Sequence, residues 1–173
     1  MIPIKRILVP TDFSEPATAA LKWATTLARE LDGQLYVLHV VPEPYAYPWG
    51  SELSTMPLTD ILEQSEKSAE ERMHQLAAET QLPLDRVVTQ AVIGTPVDQI
   101  LATVAEHNID LVVLGTHGRG MVGHLLLGSV AERVIRRSPV PVLTVHGETR
   151  SAVLAKETAA ASGVRSPLSK VRS

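Results

Sequence analysis

Three glycines and a serine form the pattern in this chain most suggestive of chemistry. Gly115, Gly118, Gly128 and Ser129 have the spacing G-x2-G-x9-G-S, after an apolar run and before a helical pattern. Glycine accepts positive φ and lets the backbone approach a ligand closely. The start of a helix beyond such a loop presents N–H groups and the positive end of the helix dipole. The spacing therefore predicts an anion cradle, with a phosphate-bearing ligand as the first candidate.

Two better-known glycine loops fit this segment less well. Residues 118–123 spell G-x-G-x-x-G, but that fingerprint belongs in a turn that opens directly into a helix, with an acid ending the next strand. Here it lies inside a longer loop, and no suitable acid follows before Glu148. Gly115 and Gly120 have the spacing of a Walker loop, but Met121 stands where lysine is required. The pattern excludes the P-loop nucleotide hydrolases and disfavours the dinucleotide fingerprint.

Composition narrows the class of protein. The 173 residues, 45% of them hydrophobic and only 3% aromatic, predict one domain with an aliphatic core. A net charge of -3 argues against nonspecific nucleic-acid binding, and the absence of cysteine excludes disulfides and thiolate chemistry. The first residues do not resemble a signal peptide, and no run approaches the ~18 apolar residues of a membrane span. We therefore expect a cytoplasmic protein that does not insert into membranes.

Short aliphatic runs alternate with helical patterns along the chain. The predicted strands are Ile4–Val9, Gln34–Val41, Arg86–Val92, Asp110–Leu114 and Val140–Val145. The predicted helices are Ser14–Leu31, Leu58–Thr80, Thr95–His107 and Ser129–Arg137. This alternation predicts an α/β protein, a five-stranded parallel doubly wound sheet that is Rossmann-like, covered by helices on both faces.

The strand order decides where a ligand would bind. The sequence does not fix that order, but 3-2-1-4-5 is a common arrangement. In it, strands one and four are neighbours where the order reverses, and ligands bind there, beyond the carboxyl ends of the strands. Asp12 and the glycine loop should then face the same cleft.

Several segments together resemble the universal stress protein family. They are VPTDFS after strand one, LHV near the end of strand two, GTHGRG after strand four and GSVAERVIRRSPVPVLTV at the last helix and strand. More narrowly, the G-x2-G-x9-G-S spacing resembles the nucleotide-binding branch of that family. The resemblance spans about Ile4–Val145 and implies an ATP site across the switch point of the sheet. Mg²⁺ would accompany the triphosphate rather than occupy a dedicated protein site.

The resemblance assigns parts of the ligand to individual positions. Pro10, Thr11 and Asp12 match the segment that meets adenosine, and the backbone of Val40 matches the position that reads the adenine edge. The loop facing ribose and phosphate matches Gly115, Thr116, His117, Gly118, Arg119, Gly120 and Met121. The helix start that binds phosphate matches Gly128, Ser129, Val130 and Ala131.

Each of these positions also has an ordinary structural interpretation. Asp12 can be a turn residue before a helix cap at Ser14, Val40 a core valine, and the Gly128–Ser129 pair a turn and a cap. His39 is expected near the end of strand two, donating to the backbone. These interpretations explain single residues but not their convergence on one cleft, so we favour the binding site.

Two segments interrupt the pattern. Residues Pro42–Pro57 hold four prolines and half of the six aromatic residues, and they are either a lid over the ligand or a surface loop. Residues 147–173 are rich in Ala, Ser and Thr and predict a flexible tail after a domain spanning 1–146. The predicted last strand, Val140–Val145, would be an apolar edge, which predicts a homodimer that pairs this strand across a two-fold axis. The resemblance also implies dimerisation through this strand.

The expected function is an ATP-binding sensor or regulator of a stress response, with an unidentified client protein as a candidate partner. No nucleophile–base pair or catalytic residue is evident, so at most slow ATP hydrolysis or autophosphorylation is expected. One alternative is an adenylating or ATP-hydrolysing enzyme of the adenine nucleotide alpha-hydrolase type. Such enzymes usually carry S-G-G-x-D-S after strand one, where this chain has VPTDFS. Another alternative is an interaction module with an empty cleft.

Overall fold

The structure, a computed structural model, describes residues 3–42, 58–116 and 127–146. Its elements, in chain order, are β1 (Arg6–Thr11), α1 (Glu15–Glu30), β2 (Gln34–Val41), α2 (Leu58–Glu79), a 3-10 turn (Leu84–Arg86), β3 (Val87–Ile93), α3 (Pro96–Glu106), β4 (Leu111–Gly115), α4 (Ser129–Arg137) and β5 (Val142–Val145). None of the helices in the described ranges is long and apolar enough to cross a membrane.

The strands form one parallel sheet in the order β3-β2-β1-β4-β5, which confirms the predicted architecture. β1 is central and pairs with β2 on one side and β4 on the other. The register places Thr11 opposite His39 and Gly115 opposite Val145. The carboxyl ends of β1 and β4 are therefore neighbours, at the point where the strand order reverses.

The sheet has an aliphatic core on each face. Helices α1 and α2 cover one face, burying residues such as Ile7, Val9, Ala24, Leu35, Met73 and Val113. Helices α3 and α4 cover the other face, burying Leu8, Leu38, Ile100, Val112, Leu114 and Val134. Consecutive residues of β1 and β4 enter opposite cores, which is why these strands read as unbroken apolar runs.

Both ends of α1 are fixed by residues outside the helix. At its start, the Ser14 hydroxyl accepts the Ala17 N–H at 3.4 Å, which confirms Ser14 as the cap. At its end, the Lys5 ammonium donates to the carbonyl of Leu31 at 2.9 Å, and Arg86 donates to the carbonyl of Ala28 at 2.6 Å. Two cations thus satisfy carbonyls at the negative end of the helix dipole.

Some predicted boundaries are wrong, and local hydrogen bonding explains the change at the start of β5. β5 begins at Val142, not at Val140. The Ser138 hydroxyl bonds both the N–H and the carbonyl of Val140, which forms a turn there, and Pro141 has no N–H to extend a ladder. β1 is shifted by two residues, because it runs on through Thr11.

The last residue of the predicted first helix lies outside the buried face of α1. Leu31 is 38% exposed, whereas Thr25 is buried. The helix ends at Glu30, so Leu31 no longer follows the helical direction that would carry it to the sheet.

Candidate functional site

The turn between β1 and α1 is held by side-chain-to-backbone hydrogen bonds. The Thr11 hydroxyl accepts the Phe13 N–H at 3.0 Å, and the Asp12 carboxylate accepts the Ser14 N–H at 3.1 Å. Thr11 is buried, while Pro10 and Asp12 are half-buried at the carboxyl edge of the sheet. Asp12 is thus the turn residue that its position before a helix cap suggests, and it lies at the edge where a ligand is predicted.

The end of β2 adjoins this turn. The ring nitrogen Nδ1 of His39 lies 2.8 Å from the carbonyl oxygen of Thr11. Because a carbonyl oxygen only accepts, Nδ1 is the donor, which agrees with the predicted backbone contact of His39. Val40 is 9% exposed and packs into the core under α3 and α4. Its side chain is therefore a core side chain, and only its backbone is left for a ligand to approach.

Gly115 has a structural role that the spacing argument did not anticipate. A Cβ atom at this position would lie 2.7 Å from the carbonyl carbon of Pro16 and 2.8 Å from the nitrogen of Ala17. Both are backbone atoms of the first turn of α1, so they cannot swing away as a flexible side chain would. Glycine at 115 is needed because the end of β4 and the start of α1 touch through their backbones.

The two ends of the glycine-rich loop meet in the structure. The buried residue Thr116 donates its N–H to the carbonyl of Val145 at 2.9 Å, and its own carbonyl accepts the Gly128 N–H at 2.6 Å. The chain therefore leaves β4 and enters α4 at one point beside β5. The residues between them that were predicted to bind the ligand lie outside the described residues: His117, Gly118, Arg119, Gly120 and Met121.

Helix α4 starts at this junction. Gly128 is its N-cap, with φ of -72° and ψ of 154°, and it offers no side chain to cap the first turn. Ser129 and Val130 are exposed and Ala131 is buried. The amides of these three residues belong to the first turn, which the helix itself leaves without carbonyl partners. At the other end of α4, the positive charges of Arg136 and Arg137 in the last turn stabilise the helix by attraction to the negative end of its dipole.

Contacts in the structure link several of the predicted site residues in the described ranges to one another or to the start of α1. Asp12 lies in the turn against which His39 packs, Gly115 touches the start of α1, and Thr116 binds Gly128. Within the described ranges, no cluster of His, Asp and Glu has an arrangement that could hold a metal ion. The 43–57 part of the predicted lid and the tail 147–173 lie outside the described residues.

Sequence reasoning missed one group of side chains at this edge. The Phe13 ring lies against the His39 ring, with centroids 4.4 Å apart, and the guanidinium carbon of Arg72 lies 4.1 Å from the Phe13 centroid. Arg72 belongs to α2 and is far from Phe13 along the chain, so no local spacing indicated the contact. The one available signal was that Phe13 is the only phenylalanine of the chain.

The fold and the site together define a class: a doubly wound α/β protein whose central strands end beside a glycine-rich loop and a helix start. Comparison with family models refines this class. The model of the universal stress protein family matches residues 3–146. The chain belongs to the universal stress protein family.

Individual relatives agree with this assignment. Universal stress protein MJ0531 of Methanocaldococcus jannaschii is 32% identical over 82% of this chain and 81% of its own length. MJ0577 of the same organism is 30% identical over 82% of this chain and 94% of its own length. The solved structure of MJ0577 covers 86% of this chain and 99% of its own, with a TM-score of 0.72 and 28% identity.

Proposed function

We propose that this chain belongs to the nucleotide-binding branch of the family and binds ATP, with Mg²⁺ accompanying the triphosphate. The observation that carries the proposal is the Thr116–Gly128 hydrogen bond, which joins the end of β4 to the start of α4. It sets the positive end of a helix at the switch point of the sheet, where anionic ligands bind in open α/β folds. The protein would act as a nucleotide-dependent sensor or regulator in a cytoplasmic stress response.

The phosphate half of the proposed site would rely on backbone amides, with Arg119 of the glycine loop as a candidate cation. The first-turn amides of α4 and the hydroxyl of Ser129 are the donors on the described side. The glycine loop from Gly115 to Met121 would supply the rest. With Met121 where a Walker loop has lysine, backbone donors and the bound metal ion would balance the charge of the phosphates.

The nucleoside half would lie over the β1–α1 turn and the end of β2. Pro10, Thr11 and Asp12 line this turn, and Val40 presents its backbone one residue beyond the Thr11–His39 pair. The Asp12 carboxylate accepts the Ser14 N–H with one oxygen, Oδ1. A carboxylate has about four acceptor positions on two oxygens, so this bond is compatible with a second one from a ribose hydroxyl.

Two solved structures with the same fold support a nucleotide as the ligand. One is a universal stress protein in complex with cAMP, 22% identical with a TM-score of 0.63. The other is a universal stress protein of Archaeoglobus fulgidus in complex with dAMP, 20% identical with a TM-score of 0.56. Both ligands contain adenine, which favours an adenine nucleotide here over other phosphate esters.

Nucleotide binding is tested by isothermal titration with Mg·ATP on the purified chain, after any nucleotide carried through purification has been released and identified. Because a ligand that binds only the folded state stabilises it, ATP should also raise the melting temperature. Gly128→Val should abolish both signals, since its side chain would occupy the space of the phosphates. Ala105→Val, which adds a branched side chain on the exposed face of α3, is the matched control. No heat and no melting shift at millimolar Mg·ATP would refute the proposal.

The alternative function, an enzyme of the adenine nucleotide alpha-hydrolase type, predicts a different product. When an acceptor substrate is supplied, adenylation transfers AMP to it and releases pyrophosphate, and hydrolysis by water releases ADP and phosphate, whereas a sensor returns ATP intact over the same period. Chromatography of the nucleotide after incubation separates the three outcomes. The turn sequence VPTDFS, with Asp12 bonded to Ser14, favours binding over adenylation.

We also propose a homodimer that pairs β5 of two copies. β5 is the edge of the sheet, and Leu143 on it is 38% exposed. The carbonyls of Pro141 and Val145 accept hydrogen bonds from β4, so by alternation Val142 and Thr144 direct their N–H groups away from β4. Val142→Pro therefore removes an outward donor and leaves the β4–β5 ladder intact.

Light scattering tests this assembly at micromolar concentration. The wild-type chain should have the mass of a dimer and Val142→Pro that of a monomer with unchanged circular dichroism. A monomeric wild type would refute the dimer, and a dimeric Val142→Pro variant would place the interface elsewhere.

A further inference from the structure

The β1–α1 turn is held from outside by α2. The Phe13 ring contacts two groups: the His39 ring, inclined to it by 41°, and the Arg72 guanidinium, 4.1 Å from its centroid. A guanidinium within about 6 Å of an aromatic face is attracted by the ring quadrupole. His39 is itself fixed by its hydrogen bond to the Thr11 carbonyl. Residues of the turn, of β2 and of α2 thus meet at one aromatic ring.

The backbone of Phe13 explains why such a contact is needed. Its φ is +63°, in the left-handed region that bulky L-residues rarely adopt because Cβ approaches the following carbonyl. Residues held in this region persist where surrounding contacts compensate. The Arg72–Phe13–His39 stack supplies a contact of this kind, because it fixes the ring and with it the direction in which the backbone leaves residue 13.

The conformation of Phe13 also sets the position of Asp12. The Asp12 carboxylate accepts the N–H of Ser14, so the hydrogen bond spans Phe13. A rotation of Phe13 out of the left-handed region would move residue 12 relative to residue 14 and break that bond. The orientation of the carboxylate at the cleft therefore depends on a side chain of α2, a helix that carries none of the predicted site residues.

We propose that Arg72 is a positioning residue for nucleoside binding: it holds Phe13 in the left-handed conformation and thereby orients Asp12 at the cleft. The effect of Arg72 on affinity rests on the proposed nucleotide site, but the positioning of the turn can be measured without any ligand. A chain whose turn is competent only part of the time binds with an affinity reduced by that fraction. Loss of the guanidinium should therefore weaken Mg·ATP binding by about tenfold.

The first experiment compares Arg72→Ala with Lys67→Ala in the full chain. Lys67 is an exposed cation on the same helix, so its variant controls for the loss of one positive charge near an anionic ligand. Titration with Mg·ATP should show the tenfold loss for Arg72→Ala only. Arg72→Lys, which keeps a cation over the ring, should recover most of the affinity. Equal affinities for the two alanine variants would overturn the inference.

The second experiment measures the turn without nucleotide. The Phe13 and Ser14 amides donate within the turn, so amide hydrogen exchange by NMR reports its opening directly. Both amides should exchange faster in Arg72→Ala, while core amides of β1 such as Val9 stay protected. A purely structural role of Arg72 would instead lower protection throughout. Unchanged exchange at both turn amides would refute the positioning role.

A double-mutant cycle separates positioning from direct ligand contact. In a Phe13→Leu background, Arg72→Ala should have no further effect on affinity or exchange, because the ring through which it acts is gone. Additive losses would mean that Arg72 acts independently of Phe13, and the inference would fail. If the wild-type chain binds no ATP at all, the proposed function fails, and amide exchange alone decides the role of Arg72.

Discussion

Replacing Gly115 with alanine should destabilise the fold even when no ligand is present. The added Cβ would lie 2.7–2.8 Å from three backbone atoms of Pro16 and Ala17. Non-bonded heavy atoms in contact are about 3.5–4.0 Å apart, so β4 and the first turn of α1 would have to separate by roughly 0.7–1.3 Å. Such overpacking typically costs about 1–3 kcal/mol. For a chain of this size, that corresponds to a fall in melting temperature of roughly 2–12 °C.

Urea unfolding followed by circular dichroism measures this effect. The midpoint should fall with little change in slope, since the unfolded state exposes the same surface. Ser129→Ala is the matched control, because Ser129 lies in the same motif but is exposed at the start of α4. The free energy of unfolding of this variant should stay within about 0.5 kcal/mol of wild type. An unchanged midpoint for Gly115→Ala would show that β4 and α1 can move apart without penalty, and the packing argument would be wrong.

Three further predictions concern the bonds that fix α1 and β1. Arg86→Met should lower the unfolding free energy, measured in urea, by about 1.5–3 kcal/mol, because the carbonyls of Ala28 and Gly33 lose a charged donor. Lys22→Met, on the exposed face of α1, is the control, and a smaller loss for Arg86→Met than for Lys22→Met would contradict this prediction. Asp110→Ala should cost about 2–3 kcal/mol by the same measurement, since its carboxylate accepts the N–H groups of residues 5 and 6, and Asp110→Asn should recover part of the loss. Ser14→Ala should cost about 0.5–1 kcal/mol in thermal unfolding, the low end for a cap because its bond is long, and Ser14→Asp should restore stability.

The sheet could be predicted because its strands are short apolar runs between strong breakers. β2 matches its predicted range because a glycine, Gly33, and a proline, Pro42, mark the two ends of a run that contains neither residue type. β5 was predicted too long because the apolar pattern continues through Val140 and Pro141, while the hydrogen bonds of Ser138 end the strand. An apolar pattern does not show which polar side chain will form hydrogen bonds with the backbone groups that a strand would otherwise pair.

Contacts between distant segments were beyond the sequence. Gly115 was assigned to a ligand by its place in a spaced motif, yet its close neighbours are backbone atoms of α1. Nothing in the sequence indicated that Arg72 contacts Phe13, because the two residues are far apart along the chain and meet only in the folded protein. For Asp12, the sequence predicted both the turn before α1 and the position at the carboxyl edge of the sheet. Both could be predicted because they depend on only a few neighbouring residues.

The bond between Thr116 and Gly128 joins the two ends of the glycine-rich segment. Both residues are buried, and together they hold the two ends of the intervening segment side by side. Contacts of the sheet and of α4 at these two ends therefore offset part of the closure entropy of a segment of this length, which is about 2 kcal/mol. Changes of sequence or length between these two residues should therefore leave the strand order intact. A variant with residues added within 117–126 should still fold, so this part of the chain can vary independently of the sheet.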